Sequence, residues 1–481
     1  MNIALTQTDF AALSPLLILL GGALLALLVE SFGGTSTKKS LSYIVLAVIG
    51  IALLAAIYAP SSNNTLLTPW IRFDSLAKLF TIFFLAIGLG SSLLAIAFFQ
   101  RFQATHGEYY FLLLSSVIGL ILIGTAADFL TLFIGIETLS IALYVLCGYM
   151  KDWKLSNEAA MKYFFIGAIA AAFLLYGIAL IYGAIGTTRF DLLMKAYQTL
   201  PDEASKALFY GGIALITLGL AFKAAIVPFH AWAPDVYDGA PTPVTAFMAV
   251  GTKVGAFAAL SVIFLVFLPH FDVRWNEAIA WLAYPTLIYA NYVALREYQL
   301  RRFFAYSGIS HAGFLLIPLA AGGPEALPAL LFYLVIYSIA TLGSFAVLAF
   351  IDTRSEGVMM QDLRGLFRRS PFFASVLALC LLTLAGIPPT PGFFAKFYVF
   401  KLAFQTGYYG LVVVGLLTTI LSAFYYLRFV AVMFSDATEN ATVWPRSWPT
   451  ITLGLASLIA IVFLSFYPSP LMNLLAVFGT G

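Results

Sequence analysis

Long apolar segments separated by short polar stretches run the length of this sequence, and they limit its possible folds more than any other feature. A helix needs about 20 mostly apolar residues to cross a bilayer, because every backbone amide must find its partner inside the helix. Fourteen segments fit that requirement, near residues 11–30, 41–59, 76–99, 109–125, 128–149, 160–183, 208–229, 243–268, 277–295, 302–320, 328–351, 371–402, 408–433 and 449–470. The sequence therefore predicts an all-α, polytopic membrane protein with about 14 transmembrane helices.

The composition supports this class, since 62% of the 481 residues are hydrophobic and only 10% are charged, far from the usage of soluble proteins. A net charge of +3 over this length gives no basic face for nucleic acid.

The N-terminal stretch MNIALTQTDFAALSPLLILL has no basic region and no cleavage site, so we expect a first span and not a removable signal. The longest loop, near 184–207, has room only for a short helix or hairpin. The function must therefore reside within the membrane.

The sequence also limits the cofactors that this chain can hold. An iron–sulfur cluster needs about four thiolates, and the only cysteines are Cys147 and Cys380. The four histidines lie in separate segments, which argues against a pair of bis-histidine haems. Neither a dinucleotide-binding nor a phosphate-loop motif is present. If the protein is part of a redox enzyme complex, we expect the cofactors to be bound by partner chains.

The Lys and Arg residues are distributed unevenly between alternate loops, which indicates the orientation in the membrane. An even number of spans puts both termini on one side. Loops on the opposite side carry thirteen of these residues, namely Lys38, Lys39, Arg101, Lys151, Lys154, Arg296, Arg301, Arg302, Arg354, Arg364, Arg368, Arg369 and Arg446. Loops on the side of the termini carry five, namely Arg72, Arg189, Lys195, Lys206 and Arg274. We therefore expect both termini to face the periplasm or a lumen.

A few charged residues stand deep inside apolar segments, where each costs roughly 2.5 to 3.5 kcal/mol and is by default a functional candidate. Glu137 lies near the middle of FLTLFIGIETLSIALYVLCGY. A protonated structural carboxyl is the alternative, but glutamate is too short to reach an interface from there. Lys223 lies in LAFKAAIVPFHAWAPDVYDGAPTPV, close before Pro228, which must interrupt the helix. We expect this lysine to line the interruption and not to extend to the interface.

Two further lysines follow the same pattern. Lys253 stands near the centre of its segment, between Gly251 and Gly255, which allow close helix approach. Lys396 follows a second interruption in TLAGIPPTPGFFAKFYVF, although it could also be an interfacial anchor. Lys223 precedes its break and Lys396 follows one, as an inverted-topology repeat would place them.

His311 and Lys162 are weaker candidates. His311, in FFAYSGISHAGFLLIPLA, could relay protons because histidine titrates near neutrality, or could simply bond Ser307 one turn away. Lys162 stands four residues after Glu158, so a paired charge near the interface is the simpler interpretation.

Buried amines and carboxylic acids on neighbouring helices can exchange protons when their pairing changes, because burial and a nearby charge shift the protonation equilibrium in opposite directions. We therefore predict that Glu137 and Lys223 lie within ion-pair or one-water distance. We also predict that water links Lys223, Lys253, His311 and Lys396. Nothing in the sequence supplies energy for pumping, so a partner complex must do so.

The motifs GLAFKAAIVPFHAWAPDVYDGAPTPVTAF, FIGIETLSIALYVLCGY, RRFFAYSGISHAGF and LAGIPPTPGFFAKFYVF resemble the antiporter-like subunits of respiratory complex I, over about residues 70–435. The branch called subunit N is the most similar, because a lysine stands at position 396 and no long lateral helix follows the fourteenth span. The resemblance implies a proton-translocating membrane subunit of NADH:quinone oxidoreductase that carries no redox centre itself. It implies that NAD, flavin, iron–sulfur clusters and quinone are bound by partner subunits.

The resemblance further implies two inverted five-helix repeats, 109–268 and 277–433, each with one discontinuous helix, between N-terminal helices in 1–108 and a C-terminal helix and tail in 449–481. It implies a pair of Glu137 and Lys223, a central relay at Lys253, and an outlet at Lys396. His311 and Lys162 match family positions as well.

The expected partners are the neighbouring antiporter-like and small membrane subunits of complex I and the lipid bilayer, in the inner membrane of a bacterium rather than in a plastid or other organelle. Two alternatives stay open at this stage. One is a subunit of a multi-subunit cation/proton antiporter, and the other is a structural membrane module whose charges are merely paired.

Overall fold

The structure is a computed structural model that describes residues 6–60, 66–102, 104, 107–200, 202–268, 275–353, 357–436 and 447–479, with the backbone alone described at 35–39. These residues form nineteen α-helices and no strand. In chain order the helices are α1 (Gln7–Phe32), α2 (Thr35–Tyr58), α3 (Ser75–Arg101), α4 (Gly107–Thr125), α5 (Phe129–Cys147), α6 (Lys154–Ile185), α7 (Phe190–Gln198), α8 (Glu203–Ala224), α9 (Trp232–Gly239), α10 (Thr242–Phe267), α11 (Trp275–Ala294), α12 (Leu300–Ala321), α13 (Ala326–Ile351), α14 (Leu366–Arg369), α15 (Pro371–Ala385), α16 (Pro391–Gln405), α17 (Tyr409–Phe434), α18 (Trp448–Phe466) and α19 (Ser469–Ala476).

The predicted all-α membrane architecture is confirmed. Twelve helices in the described residues are long and apolar enough to cross a membrane. The predicted segment 277–295 contains α11, which is more polar, and the segment 371–402 is divided into α15 and α16. Each of the fourteen predicted segments therefore contains helix, and α7 occupies the loop near 184–207.

The helices differ strongly in how far they are buried. The apolar window of α12 is entirely buried, and those of α13 and α10 are 89% and 83% buried. By contrast, α1, α2, α6 and α17 bury only about a third or less of theirs. Since α10 carries Lys253 and α12 carries His311, two of the predicted site residues lie on the innermost helices.

Glycines allow α4 and α5 to pack closely. Gly119 on α4 faces Gly135 on α5, and a Cβ at Gly119 would lie 2.6 Å from the backbone N of Leu139. A Cβ at Gly135 would lie 2.8 Å from the backbone N of Ile123. Only glycine permits this backbone approach, which fixes the position of Glu137, two residues beyond Gly135.

Two membrane helices are interrupted, as the prolines predict. α8 ends at Ala224 because Ala225 adopts a left-handed conformation with φ 56°, and Pro228 lacks the amide needed to resume the helix. α15 ends at Ala385, and Gly386 adopts φ 78°. Each break leaves the carbonyl end of a half-helix inside the protein.

α10 is continuous but irregular. π-helical turns occupy Met248–Thr252 and Val262–Phe267, on either side of a regular stretch that begins at Lys253. Such turns are rare and are often found at functional sites.

Candidate functional site

Lys223 lies in the last turn of α8, with 5% of its surface exposed. Its ammonium is 3.5 Å from the Tyr163 hydroxyl and lies over the rings of Tyr163, Tyr144 and Phe222, at 5.0, 5.4 and 5.4 Å from their centres. Aromatic faces attract a cation, so this aromatic cage holds the ammonium, and none of the described carboxylates contacts it.

Glu137 lies on α5 on the same stripe as Ile134 and Ile141, which are 56% and 59% exposed. Its Oε1 is buried and has no hydrogen-bond donor among the described residues. The carboxylate and the Lys223 ammonium interact electrostatically, but the ion pairs of the described residues do not include a direct contact between them. The water-bridged form of the predicted pair stays a prediction.

Lys253 lies at the same helix break as Lys223. Its ammonium donates a hydrogen bond of 3.0 Å to the carbonyl of Ala224, the last residue of α8. The carbonyl end of a helix carries a partial negative charge that attracts cations, and one such contact contributes about 0.3 to 2 kcal/mol. Lysines from two helices therefore belong to the first break, Lys223 on α8 itself and Lys253 on the following membrane helix. The predicted neighbours Gly251 and Gly255 face Leu120 on α4.

Lys396 occupies the second break and is 4% exposed. Its ammonium donates a hydrogen bond of 2.9 Å to the carbonyl of Ala385, the last residue of α15. It also lies 3.4 Å from the Ser422 hydroxyl and 4.8 Å from the centre of the Phe314 ring. These contacts identify Lys396 as a buried residue of the break and not as an interfacial anchor.

His311 is buried on α12 between two tyrosines. Its Nδ1 is 2.7 Å from the Tyr333 hydroxyl and its Nε2 is 3.2 Å from the Tyr426 hydroxyl. Tyr426 is also hydrogen-bonded to Ser307, so the predicted link between His311 and Ser307 runs through this tyrosine. The imidazole is thus held from both sides, and either nitrogen could carry the proton.

His311 also connects the two lysines that cap half-helices. Both Lys253 and Lys396 act electrostatically on the imidazole. A small cavity of about 10 Å³ lies between His311 and Lys396 and is also lined by Tyr333, Tyr337 and Thr383. This volume is about the least that holds one water molecule. The structure thus places His311 and Lys396 on one cavity, and the order of transfer from Lys253 through His311 to Lys396 stays a prediction.

Lys162 lies apart from this buried row. Its ammonium pairs with Glu158 at 2.7 Å, as the spacing predicts, and with Asp235 on α9 at 2.6 Å. Its side chain is 40% exposed. Asp235 also accepts a hydrogen bond of 2.9 Å from Arg302 at the start of α12, so Lys162 belongs to a charged network at the edge of the bundle.

Several residues of the site were not found from the sequence. They are the polar side chains around the predicted charges, namely Tyr144, Tyr163, Tyr333, Tyr337, Ser422, Tyr426 and Asp235. A usable signal was present, because Tyr333 and Tyr337 stand one turn apart in an otherwise apolar span, where a buried hydroxyl needs a partner.

No metal centre is formed by the described residues, since they contain no group of three or more His, Cys, Asp or Glu side chains able to hold an ion. His106 and His270 lie outside the described residues. Cys147 and Cys380 are free and buried.

Comparisons with known proteins agree over nearly the whole chain. The family described as NADH:quinone oxidoreductase/Mrp antiporter, TM, matches residues 126–422. NADH-quinone oxidoreductase subunit N of Protochlamydia amoebophila (strain UWE25) is 62% identical over 99% of this chain and 99% of its own. Subunit N 1 of Chloroherpeton thalassium is 37% identical over 97% of both chains.

Among solved structures, a chain of respiratory complex I from Thermus thermophilus is 31% identical, with a TM-score of 0.80 over 95% of this chain and 98% of that chain. A chain of the Mrp complex from Dietzia sp. DQ12-45-1b has a TM-score of 0.81 over 99% of this chain and 97% of that chain. Its identity is only 21%, so it shows a shared fold and no more.

Proposed function

Because this chain belongs to the subunit N family of NADH-quinone oxidoreductases, the antiporter-like membrane subunits of complex I, we propose that it carries protons through Glu137, Lys223, Lys253, His311 and Lys396. The chain is a multi-pass membrane subunit of a proton-translocating complex. Moving a proton against 100 mV costs about 2.3 kcal/mol. NADH oxidation and quinone reduction supply that energy in partner subunits, and we propose that this chain holds no redox cofactor of its own.

One observation carries the proposal. Lys223, Lys253 and Lys396 are 5%, 2% and 4% exposed, and the recorded partners of their ammoniums are carbonyls, hydroxyls and aromatic rings. The described residues provide none of the three with a carboxylate in direct contact. A buried ammonium without an anion is costly, so each site can release its proton when the local charge changes. Permanently paired structural charges would instead show close carboxylates.

The geometry supports a definite order of transfer. Lys223 directly precedes Ala224, whose carbonyl holds Lys253. The two lysines therefore belong to the same break, one in the last turn of α8 and the other bound to its last carbonyl. His311 interacts electrostatically with both Lys253 and Lys396. A transfer to or from either of these lysines therefore changes the charge that His311 experiences, and a nearby Glu137 carboxylate can retain or release the proton on Lys223.

We extend the proposal to the two repeats, the orientation in the membrane and Lys162. We assign the two interrupted helices to two inverted repeats, 109–268 and 277–433, between the helices in 1–108 and the segment 449–481. The loop charges support both termini facing the periplasm of a bacterial inner membrane. Lys162, paired with Glu158 and Asp235, is assigned to the edge of the pathway.

The test is Lys223→Ala in the whole complex, purified and placed in lipid vesicles with NADH and quinone. We expect proton uptake or release, measured with a pH-sensitive dye, to fall at least about tenfold, because buried ionisable groups of this kind form relays. Lys206→Ala on the same helix is the control, since Lys206 is partly exposed and paired with Glu203 at 2.8 Å. Unchanged proton translocation in assembled Lys223→Ala complex would refute the pathway.

A further inference from the structure

Asp235 binds two cations from different helices. Its Oδ2 accepts from the Lys162 ammonium on α6 at 2.6 Å, and its Oδ1 accepts from the Arg302 guanidinium on α12 at 2.9 Å. Each carboxylate oxygen therefore has its own partner. The proposed pathway has no role for Asp235, although it forms the centre of this charged network.

Asp235 lies on α9, the short helix that follows the first break. Lys162 lies within the first proposed repeat and Arg302 within the second. Asp235 therefore holds α9 against both halves of the molecule, and Asp238 on the same helix adds contacts to Gln299 and Arg302 of the second half.

A second contact joins the same two stretches of chain. Trp232, one turn before Asp235 on α9, stacks on Tyr163 with ring centres 4.7 Å apart, and Tyr163 directly follows Lys162 on α6. The Trp232 indole N–H also donates a hydrogen bond of 2.9 Å to the carbonyl of Phe222. The ion pair and the stacked rings together fix the register of α9 along α6.

The position of α9 along α6 also determines where the rings around Lys223 lie. Tyr163 and Phe222, which Trp232 contacts, both form part of the aromatic cage around the Lys223 ammonium. A shift of α9 along α6 would therefore move two of the three rings of that cage. The partly exposed network thus connects to the buried amine through Trp232.

We propose that Asp235 is a positioning residue that holds α9 in register between Lys162 and Arg302, and so sets the cage around Lys223. The inference rests on the proposed function, because it gives Asp235 an effect on proton transfer only through Lys223. It assigns no proton to Asp235 itself. Carboxylate geometry is what the site requires, since two cations must be bound at once.

The test compares Asp235→Asn, Asp235→Glu and Glu158→Gln in the whole complex in vesicles. Glu158→Gln is the matched control, because it removes the other carboxylate paired with Lys162 and leaves both ion pairs of Asp235 in place. We expect Asp235→Asn to lower the maximal rate of proton translocation at least about threefold, since small misplacements near a transfer site are costly. The KM for quinone should stay unchanged, Asp235→Glu should recover most of the rate, and Glu158→Gln should match the unmodified complex.

If Asp235→Asn fails to assemble, Lys162→Gln provides the second variant, because it removes one cation and leaves Arg302 in place. We then expect a smaller loss, of about twofold. A normal rate in assembled Asp235→Asn, or an equal loss in Glu158→Gln, would overturn the inference. Lys223→Ala separates the two proposals: if it pumps normally, the pathway is wrong, and if it fails while Asp235→Asn pumps normally, only the positioning role is wrong.

Discussion

The two interrupted helices place an ammonium on the carbonyl end of a half-helix by different routes. At the first break the ammonium comes from Lys253 on the next membrane helix and binds the carbonyl of Ala224. At the second it comes from Lys396, on the other half of the same interrupted helix, and binds the carbonyl of Ala385. Both breaks thus share a carbonyl at the end of a half-helix and a lysine ammonium bound to it. The position of that lysine in the chain differs between the two.

The surroundings of the two breaks differ as well. The first holds a second amine, Lys223, in an aromatic cage, with Glu137 on an outward-facing stripe of α5. Among the described residues the second has one amine, Lys396, beside His311 and a cavity of about 10 Å³. At the first break a nearby carboxylate, Glu137, can change the protonation of Lys223, whereas at the second an amine beside an imidazole allows a relay through neutral groups.

The largest expected effect is at the second break, where Lys396 is the only amine that the described residues place on the half-helix carbonyl. Lys396→Met should lower proton translocation by the whole complex at least about tenfold, because the carbonyl end of α15 loses that cation. The matched control is Lys401→Met on the same helix. Lys401 is 42% exposed and paired with Glu325 at 3.2 Å, so its loss should leave the rate unchanged. Equal rates in the two variants would remove the distinction between a break residue and an anchor.

An intermediate effect is expected for Lys253→Arg at the first break. A guanidinium can still donate to the Ala224 carbonyl, but it does not release its proton. We therefore expect the complex to assemble normally while proton translocation falls about fivefold or more. The measurement is dye-detected proton translocation per assembled complex. A fully active Lys253→Arg would mean that this lysine only caps the half-helix.

A smaller effect is expected for Tyr426→Phe beside His311. The change removes the hydroxyl that lies 3.2 Å from Nε2 and that also contacts Ser307. Tyr333 remains on Nδ1, so we expect a loss of about twofold to threefold in translocation rate. Tyr425→Phe is the control, because its hydroxyl donates to Asn291 and not to the histidine. A larger loss in Tyr425→Phe would place the polar route through Asn291 instead.

The sequence predicted the helices and both breaks because their causes are local. Apolar length specifies a membrane helix, and Pro228 or Pro391 prevents a helix from continuing. The buried charges were recognisable for the same reason, since a lysine or glutamate in an apolar run is conspicuous. The comparisons confirm the family that these motifs indicated.

The partners of those charges were not predictable in the same way. The carbonyls of Ala224 and Ala385 belong to backbone, which carries no mark in the sequence. Tyr426 lies 115 residues from His311, and Arg302 lies 67 residues from Asp235. Which hydroxyl or carboxylate meets which charge is decided by helix packing, and the chain contains 25 tyrosines. The sequence predicted Glu137 and Lys223 within ion-pair or one-water distance; the described residues show no direct ion pair between them and an aromatic cage around the lysine, and the water-bridged pair stays a prediction.

The burial of α12 has a consequence for how the bilayer can influence this protein. Its window is the least apolar of the twelve candidate spans, yet it is the one enclosed on every side. A hydropathy scan would rank it last, because a helix that does not contact the lipid acyl chains can carry more polar residues. Changes in fatty-acid length or saturation can reach the imidazole at its centre only through the surrounding helices, so the outer shell serves as a buffer between the fluid membrane and the relay.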